Sequence, residues 1–222
     1  MQNAGKYGMI NTDIKTQFLS TEEIDWLAGR IISASPAFAY HDKQGVWKDQ
    51  GLVANMHEWD WNSETMQDVK QLLSERLQPW LSNFAVEKSH ILDARLPWEI
   101  HNDYEIVCSN TPNQPQAVVV IPIEDSLSQT VVFDQHAPHS NFAQYRNDNA
   151  PFKNCVPVDQ WNQLLSHCRP KDRFWLTINC VFPWRKGDMV VMDRQTFHAS
   201  DSFHKSNVQS KRAIILFTSW PL

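Results

Sequence analysis

His101 and Asp103 lie two residues apart in the stretch 97–104, which reads PWEIHNDY. The preceding letters predict a strand over residues 89–100. In a strand, side chains i and i+2 point to the same face, roughly 6.5–7 Å apart along the chain. An imidazole and a carboxylate so placed can bind one metal ion, with Asn102 pointing away. The spacing alone is common, and an ordinary hydrogen-bonded histidine is the alternative, so a metal site needs a third ligand.

A third ligand is available in residues 181–200, which read VFPWRKGDMVVMDRQTFHAS. A break at Gly187 precedes a four-residue apolar strand at 189–192, and a turn at 193–195 leads to His198. A second strand is predicted at 213–220, with Arg212 at its start.

The order and context of these segments resemble the Fe(II)/2-oxoglutarate-dependent oxygenase superfamily. In that family a distorted double-stranded β-helix carries His-x-Asp/Glu early, a second His late and a basic residue on the following strand. The resemblance covers roughly residue 91 to the C-terminus. It implies that His101, Asp103 and His198 are the catalytic ligands of Fe(II), and that Arg212 pairs with the distal carboxylate of 2-oxoglutarate. A planar guanidinium suits a carboxylate because it can donate two parallel hydrogen bonds.

Two positions depart from the family pattern. Many members carry Ser or Tyr two residues after the Arg, where this chain has Ile214. The hydroxyl that assists the co-substrate would then come from Thr218 or Thr130. The long polar connection between His198 and the last strand also contains His204, a second candidate for the third ligand.

The resemblance implies a dioxygenase that uses dioxygen and 2-oxoglutarate. It would hydroxylate a small molecule or an amino-acid side chain, an unidentified primary substrate, with release of succinate and carbon dioxide. The alternative is a non-catalytic jelly-roll module with a binding or structural role. A metal-binding cupin enzyme ranks last, because its paired His-x-His and later Glu are missing.

The composition excludes several other classes of protein. The 222 residues suit a single domain, and 42% hydrophobic with 20% charged residues is typical of a globular chain. A net charge of −5 argues against a nucleic-acid partner. No apolar run is long enough to span a membrane. Four cysteines without a C-x-x-C pair indicate reduced thiols and a cytoplasmic protein.

Two helices are expected toward the N-terminus. Ser20 to Glu23 forms a capping-box sequence, and Ile24, Leu27 and Ile31 follow at helical spacing. A second apolar stripe predicts a helix from 63 to about 81. We expect both helices to brace one face of a sheet.

From residue 89 onward the pattern changes to short strands, including apolar runs at 117–123, 130–133 and 173–182. Seven or eight strands predict a mainly β jelly-roll core over 89–222, supported by the mainly helical segment of residues 1–88. The stretch 135–172 interrupts this core, and a helix is predicted in it at 158–168. So long an insertion predicts a flexible flap over the metal.

Overall fold

The structure, a computed structural model, describes residues 10–41, 52–81, 84–104, 116–138 and 142–219. The strands in these ranges are β1 (Asp13–Lys15), β2 (Ala37–His41), β3 (Leu52–Glu58), β4 (Ala85–Ala94), β5 (Gln116–Pro122), β6 (Gln129–His136), β7 (Ile178–Pro183), β8 (Met189–Asp193), β9 (Thr196–Ser200) and β10 (Lys211–Ser219). The α-helices are α1 (Thr21–Ala34), α2 (Gln67–Leu77), α3 (Phe142–Asp148) and α4 (Val158–Leu164). Short 3₁₀ helices cover Glu64–Met66, Pro170–Trp175 and Phe203–Ser206.

The strands form two antiparallel sheets. The large sheet has the order β1-β8-β5-β10-β4-β3-β2, and the small sheet has the order β7-β6-β9. Every strand pair in both sheets is antiparallel. This arrangement confirms the predicted mainly β, jelly-roll class of fold.

Three apolar clusters separate the layers of the molecule. The first lies between α1, α2 and the large sheet, and contains Leu27, Leu73 and Ile214. The second lies between the two sheets and includes Val120 and Phe182. The third covers the outer face of the small sheet. The large sheet is therefore buried on both faces along its central strands, β5, β8 and β10.

The predicted N-terminal brace is confirmed. The Ser20 side chain accepts a hydrogen bond from the Glu23 backbone N–H, and the Glu23 carboxylate accepts one from the Ser20 N–H. This capping box satisfies two N–H groups that the first turn leaves unpaired. Ile24, Leu27 and Ile31 are fully buried against the large sheet. Each buried aliphatic side chain of this kind stabilises the fold by about 1.5–3 kcal/mol.

The insertion differs from the expected flap. Residues 135 and 136 are the end of β6. The later described residues include α3, α4 and the start of a 3₁₀ helix, and they pack on the outer face of the small sheet through Trp161, Leu165 and Phe142. None of the described residues within 137–172 lines the cavity at the metal centre. Trp161 and Leu165 are fully buried, so the part of the segment around α4 packs against the small sheet away from the metal centre.

Strand boundaries also shift from their predicted positions. The strand expected at 89–100 is β4 and ends at Ala94, shortly before Pro97, which cannot donate to a ladder. Similarly, the start of the run at 173–182 is a 3₁₀ helix that begins at Pro170, and β7 follows it. The helix predicted from 63 to 81 is a 3₁₀ turn followed by the shorter α2.

No helix in the described ranges is long and apolar enough to cross a bilayer. The three described cysteines, Cys155, Cys168 and Cys180, are free thiols.

Candidate metal centre and cavity

His101, Asp103 and His198 come together in space. Their possible ligand atoms all lie within 4.8 Å of one another. Within the described part of the chain, these three residues form a cluster of His and carboxylate side chains that could hold a metal ion. His101 and His198 face each other across an isolated antiparallel bridge, with backbone N···O distances of 3.0 and 2.8 Å. Residue 101 is therefore held by the strand that carries the third ligand, although it lies outside β4.

Hydrogen bonds orient both imidazoles. Nδ1 of His101 donates to the Glu99 carbonyl at 2.6 Å, and Nδ1 of His198 donates to the Thr196 carbonyl at 3.1 Å. A carbonyl can only accept, so Nδ1 carries the proton in each ring and Nε2 keeps its lone pair. The two Nε2 atoms lie 3.8 and 3.4 Å from the carboxylate oxygens of Asp103.

The loop that carries Asp103 is fixed from behind. The Asp103 N–H donates to the Arg194 carbonyl at 2.9 Å. The fully buried Arg194 guanidinium donates back to the Asp103 carbonyl at 3.0 Å and to the Glu87 carboxylate at 3.3 Å. Asn102 turns away from the centre, as predicted, and its amide donates to the carbonyls of Ala137 and Gln195.

The donor set fits a divalent metal ion. Burial is the main cause that lowers the pKa of His198 to about 4, so its imidazole is neutral at pH 7. Two neutral imidazoles and one carboxylate on one side of an ion are the facial triad typical of non-haem Fe(II) sites. Ligands of a first-row ion bind at about 2.0–2.2 Å, which places adjacent donor atoms about 3 Å apart. The observed Nε2–carboxylate separations, 3.4 and 3.8 Å, are longer than this, so the three side chains would draw together around a bound ion.

The three side chains border a cavity of about 390 Å³ between the two sheets. Lys211, Thr130 and Trp184 line it on one side of the metal centre. Phe38 and Tyr40, on the edge strand β2, line it on the other side. Both aromatic side chains are partly exposed, so the cavity opens to solvent there.

Lys211 is a buried cation inside this cavity. It is 2% exposed, and its Nζ donates to the Gln129 carbonyl at 3.1 Å and lies 4.3 Å from the centre of the Trp184 ring. Burial lowers the pKa of Lys211 to about 7, and the nearby Asp201 carboxylate opposes that shift. An ammonium group that is so buried attracts an added carboxylate strongly.

Arg212 does not have the position that the sequence suggested. Its guanidinium lies outside the cavity and donates two hydrogen bonds to the Glu124 carboxylate, at 2.9 and 2.6 Å. The Glu124 hydrogen bond raises the pKa of Arg212. Strand alternation explains the difference, because Lys211, Ala213 and Ile215 share one face of β10 while Arg212 shares the opposite face with Ile214. The expectation for Arg212 is corrected, and the cation of β10 that lines the cavity is its neighbour Lys211.

Thr218 and Thr130, the two candidates for the assisting hydroxyl, differ in their position relative to the cavity. Thr218 is fully buried outside the cavity lining, and its hydroxyl donates to the Ala117 carbonyl at 3.1 Å, so the expectation for Thr218 is corrected as well. Thr130 lines the cavity and accepts a hydrogen bond from Nε1 of Trp184 at 2.9 Å. The hydroxyl proton of Thr130 therefore remains available for a carboxylate in the cavity.

His204 is not among the residues of the centre. It lies on the 3₁₀ helix Phe203–Ser206, and its ring centroid is 6.5 Å from that of His167. The geometry thus favours His198 over His204 as the third ligand.

No model of a known protein family matches the sequence, and no curated protein sequence matches it. Solved structures do match. The α-ketoglutarate-dependent epimerase SnoN of nogalamycin biosynthesis aligns over 94% of this chain and 78% of its own, with 14% identity and a TM-score of 0.60. HygX from Streptomyces hygroscopicus, with nickel and 2-oxoglutarate bound, aligns over 95% and 82%, with 11% identity and a TM-score of 0.56. A 2OG-Fe(II) oxygenase family protein from Burkholderia pseudomallei aligns over 94% and 84%, with 10% identity and a TM-score of 0.55.

The chain has the fold of the Fe(II)/2-oxoglutarate oxygenases. At 14% identity or less, the likeness concerns the fold. The sequence did not point to Lys211 or Arg194 as residues of the site. Lys211 was missed because both faces of β10 are apolar, so hydrophobic alternation does not show which cation faces inward. Nothing in the local sequence marks the turn residue Arg194 as fully buried.

Proposed function

We propose that this protein is an Fe(II)/2-oxoglutarate-dependent dioxygenase. It hydroxylates a small molecule or an amino-acid side chain and releases succinate and carbon dioxide. The observation that supports this most directly is the convergence of His101, Asp103 and His198 at a cavity that also contains a buried cation. SnoN is named an epimerase, so the fold also serves reactions other than hydroxylation, and product analysis is included in the test below.

In this proposal His101, Asp103 and His198 hold the iron. Bound there, iron would couple the oxidative decarboxylation of 2-oxoglutarate to the oxidation of the primary substrate by dioxygen. The backbone carbonyls of Glu99 and Thr196 keep both imidazoles in the tautomer that a metal needs. Arg194 holds the Asp103 loop and therefore acts as a positioning residue.

Lys211 receives the distal carboxylate of 2-oxoglutarate, in the role first expected for Arg212. Several of the side chains that line the same cavity are apolar, among them Val120 and Ile215, and an apolar lining strengthens an ion pair. Thr130 donates its free hydroxyl proton to the same carboxylate. A co-substrate carboxylate also returns Lys211 to its charged form, because an adjacent negative charge raises an amine pKa.

The test is an anaerobic titration of the Fe(II) protein with 2-oxoglutarate, followed by absorption spectroscopy. We expect a weak visible charge-transfer band in the wild type and in His204→Ala, and no band in His198→Ala. Metal content after dialysis should follow the same order, with loss only in His198→Ala.

Admission of oxygen should then release succinate, and mass spectrometry of candidate substrates should show one added oxygen atom. A wild-type protein that binds metal without a 2-oxoglutarate band would instead support a binding module. Succinate release with an isomerised or cyclised product would contradict hydroxylation while leaving the co-substrate assignment intact.

A further inference from the structure

The open side of the cavity has a different character from the Lys211 side. Five apolar side chains line it and are called the outer wall below: Phe38, Tyr40, Met56, Leu92 and Trp98. They come from β2, β3, β4 and the segment between β4 and His101. Three of the five are aromatic.

The strand register builds this wall from two adjacent rows. Phe38 lies opposite Met56, and Met56 lies opposite Leu92, so the three form one apolar row across the sheet. In the next row Tyr40 lies opposite Ala54, which in turn lies opposite Ala94. The second row contains small residues beside Tyr40, which leaves room for its ring to reach across the face of the sheet.

An aromatic chain runs from the surface to the metal centre. Tyr40 and Trp98 are stacked, with ring centroids 5.1 Å apart and planes at 25°. Trp98 in turn lies 5.8 Å from the ring of His101. Phe38 is 43% exposed and Tyr40 is 37% exposed, so large apolar surfaces face solvent at the mouth of the cavity. Exposed apolar surface next to a cavity is typical of a ligand-binding site.

Charge at this mouth is already balanced. Lys88 lines the cavity beside the outer wall, and its ammonium is paired with the Glu58 carboxylate at 2.5 Å. His90, on the same face of β4, is buried, and burial is the main cause that lowers its pKa to about 4, so it is neutral. Among the described residues that line this side, Lys88 carries a charge, and that charge already has a partner in Glu58.

From these observations we propose that the outer wall binds a flat, uncharged aromatic ring of the primary substrate, stacked on the Tyr40–Trp98 pair. This proposal rests on the proposed function, because the bound ring belongs to the molecule that is oxidised only if the protein is an oxygenase. Stacking favours planar rings over saturated ones of equal size, because a flat face contacts the aromatic side chains over its whole area. A sugar or a peptide backbone would require several hydrogen-bonding side chains, and the five residues of the outer wall supply few.

Binding is measured with 9-anthracenemethanol, a neutral, planar and fluorescent probe, added to the full-length protein with and without Fe(II) and 2-oxoglutarate under anaerobic conditions. Tyr40→Ala should weaken probe binding by about ten- to a hundredfold, the range found when stacking partners of flat rings are truncated. Tyr40→Phe should bind as the wild type does, because it keeps the ring. Tyr40→Leu keeps an apolar side chain without a flat face and should lose most of the affinity.

Phe174→Ala is the matched control for Phe38→Ala. Phe174 is 39% exposed, close to the value for Phe38, and lies away from the cavity lining. Phe38→Ala should weaken binding by about three- to tenfold, and Phe174→Ala should leave it unchanged. Both aromatic positions are partly exposed, so circular dichroism should show an unchanged fold in all these variants.

Competition decides whether flatness matters. 1-Adamantanemethanol, neutral and apolar but not planar, should compete at least about tenfold more weakly than the unlabelled planar 2-naphthalenemethanol. Equal competition by the two alcohols, or wild-type affinity in Tyr40→Leu, would overturn the proposal.

The two proposals fail in different ways. If the wild type gives the 2-oxoglutarate band while Tyr40→Ala binds the probe normally, the aromatic site is wrong and the proposed function stands. If the band is missing while probe binding depends on Tyr40, the outer wall is an aromatic site and the oxygenase proposal is wrong.

Discussion

Lys211 and Arg212 are adjacent cations at the start of β10, yet their surroundings are opposite. Lys211 is 2% exposed inside the cavity, whereas the Arg212 side chain is 42% exposed and paired with Glu124 at the surface. Burial lowers the pKa of Lys211, and the Glu124 hydrogen bond raises the pKa of Arg212. The difference shows that strand phase, more than residue type, decides which cation is able to serve the site.

The same contrast extends along β10. Ala213, Ile215 and Phe217 face the space between the sheets, whereas Ile214 and Leu216 face the helices. The helix side is continuously packed, and the other side borders the cavity. One strand thus contributes to stability with one face and to the proposed binding site with the other.

The largest effect on 2-oxoglutarate affinity is expected from removing the charge of each cation in a separate variant. Lys211→Met should raise the dissociation constant of 2-oxoglutarate by about a hundredfold or more, because removing one partner of a buried ion pair costs roughly 3–5 kcal/mol. Arg212→Ala should change that constant by less than about twofold, since its partner Glu124 lies outside the cavity. Isothermal titration of the anaerobic Fe(II) protein measures both. A loss of affinity that follows Arg212 would reverse the assignment.

A smaller effect is expected on the free energy of unfolding, which should fall more for a substitution on the helix face of β10 than for one on its cavity face. Ile214→Ala should lower the free energy of unfolding by about 2–5 kcal/mol, because the space it leaves lies in a closed core with no exposed surface. Ile215→Ala should cost at least about 1 kcal/mol less, since Ile215 borders an existing cavity and is 6% exposed.

Urea denaturation with an unchanged m-value gives both free energies. Equal losses in the two variants would mean that the cavity side of β10 is packed as tightly as the helix side.

The smallest effect concerns pH. Burial holds the pKa of Lys211 at about 7, so above that pH the amine of the free protein is neutral. The co-substrate carboxylate binds the charged amine, and binding above pH 7 therefore requires uptake of a proton. Affinity should fall as pH rises, by up to about tenfold, or 1.4 kcal/mol, for each pH unit.

The measurement is the dissociation constant of 2-oxoglutarate between about pH 6.5 and 8.5, a range that brackets the Lys211 pKa. Lys211→Arg should bind with little pH dependence over this range, because guanidinium stays protonated. A flat profile in the wild type would show that Lys211 is already charged before the co-substrate arrives.

Much of the candidate site was readable in the sequence. The His-x-Asp pair and the capping box at Ser20 depend on residues close together in the chain, where short-range geometry decides the result. The turn at 193–195, which separates β8 from β9 and leads to His198, is equally local. These features were predictable for that reason. His198 is far from the His-x-Asp pair and from the capping box, and it was predicted from the order of segments that resembles the family.

Other features depend on contacts between distant segments. The insertion at 135–172 was expected over the metal, but Trp161 and Leu165 pack its helix α4 on the outer face of the small sheet instead. The stacking of Tyr40 on Trp98 joins two segments far apart in the chain, through the register of β2, β3 and β4. Neither contact leaves a periodic signal in the sequence.

The chain's residue order therefore specified the candidate ligand set, the helices and the class of fold. Tertiary structure decided which cation enters the cavity. The central strands are buried on both faces, so apolar residues occupy odd and even positions alike and alternation carries no information. The phase of β10 is set by its pairing with β4 and β5 along nearly its whole length, and this pairing turns Lys211 inward and Arg212 outward.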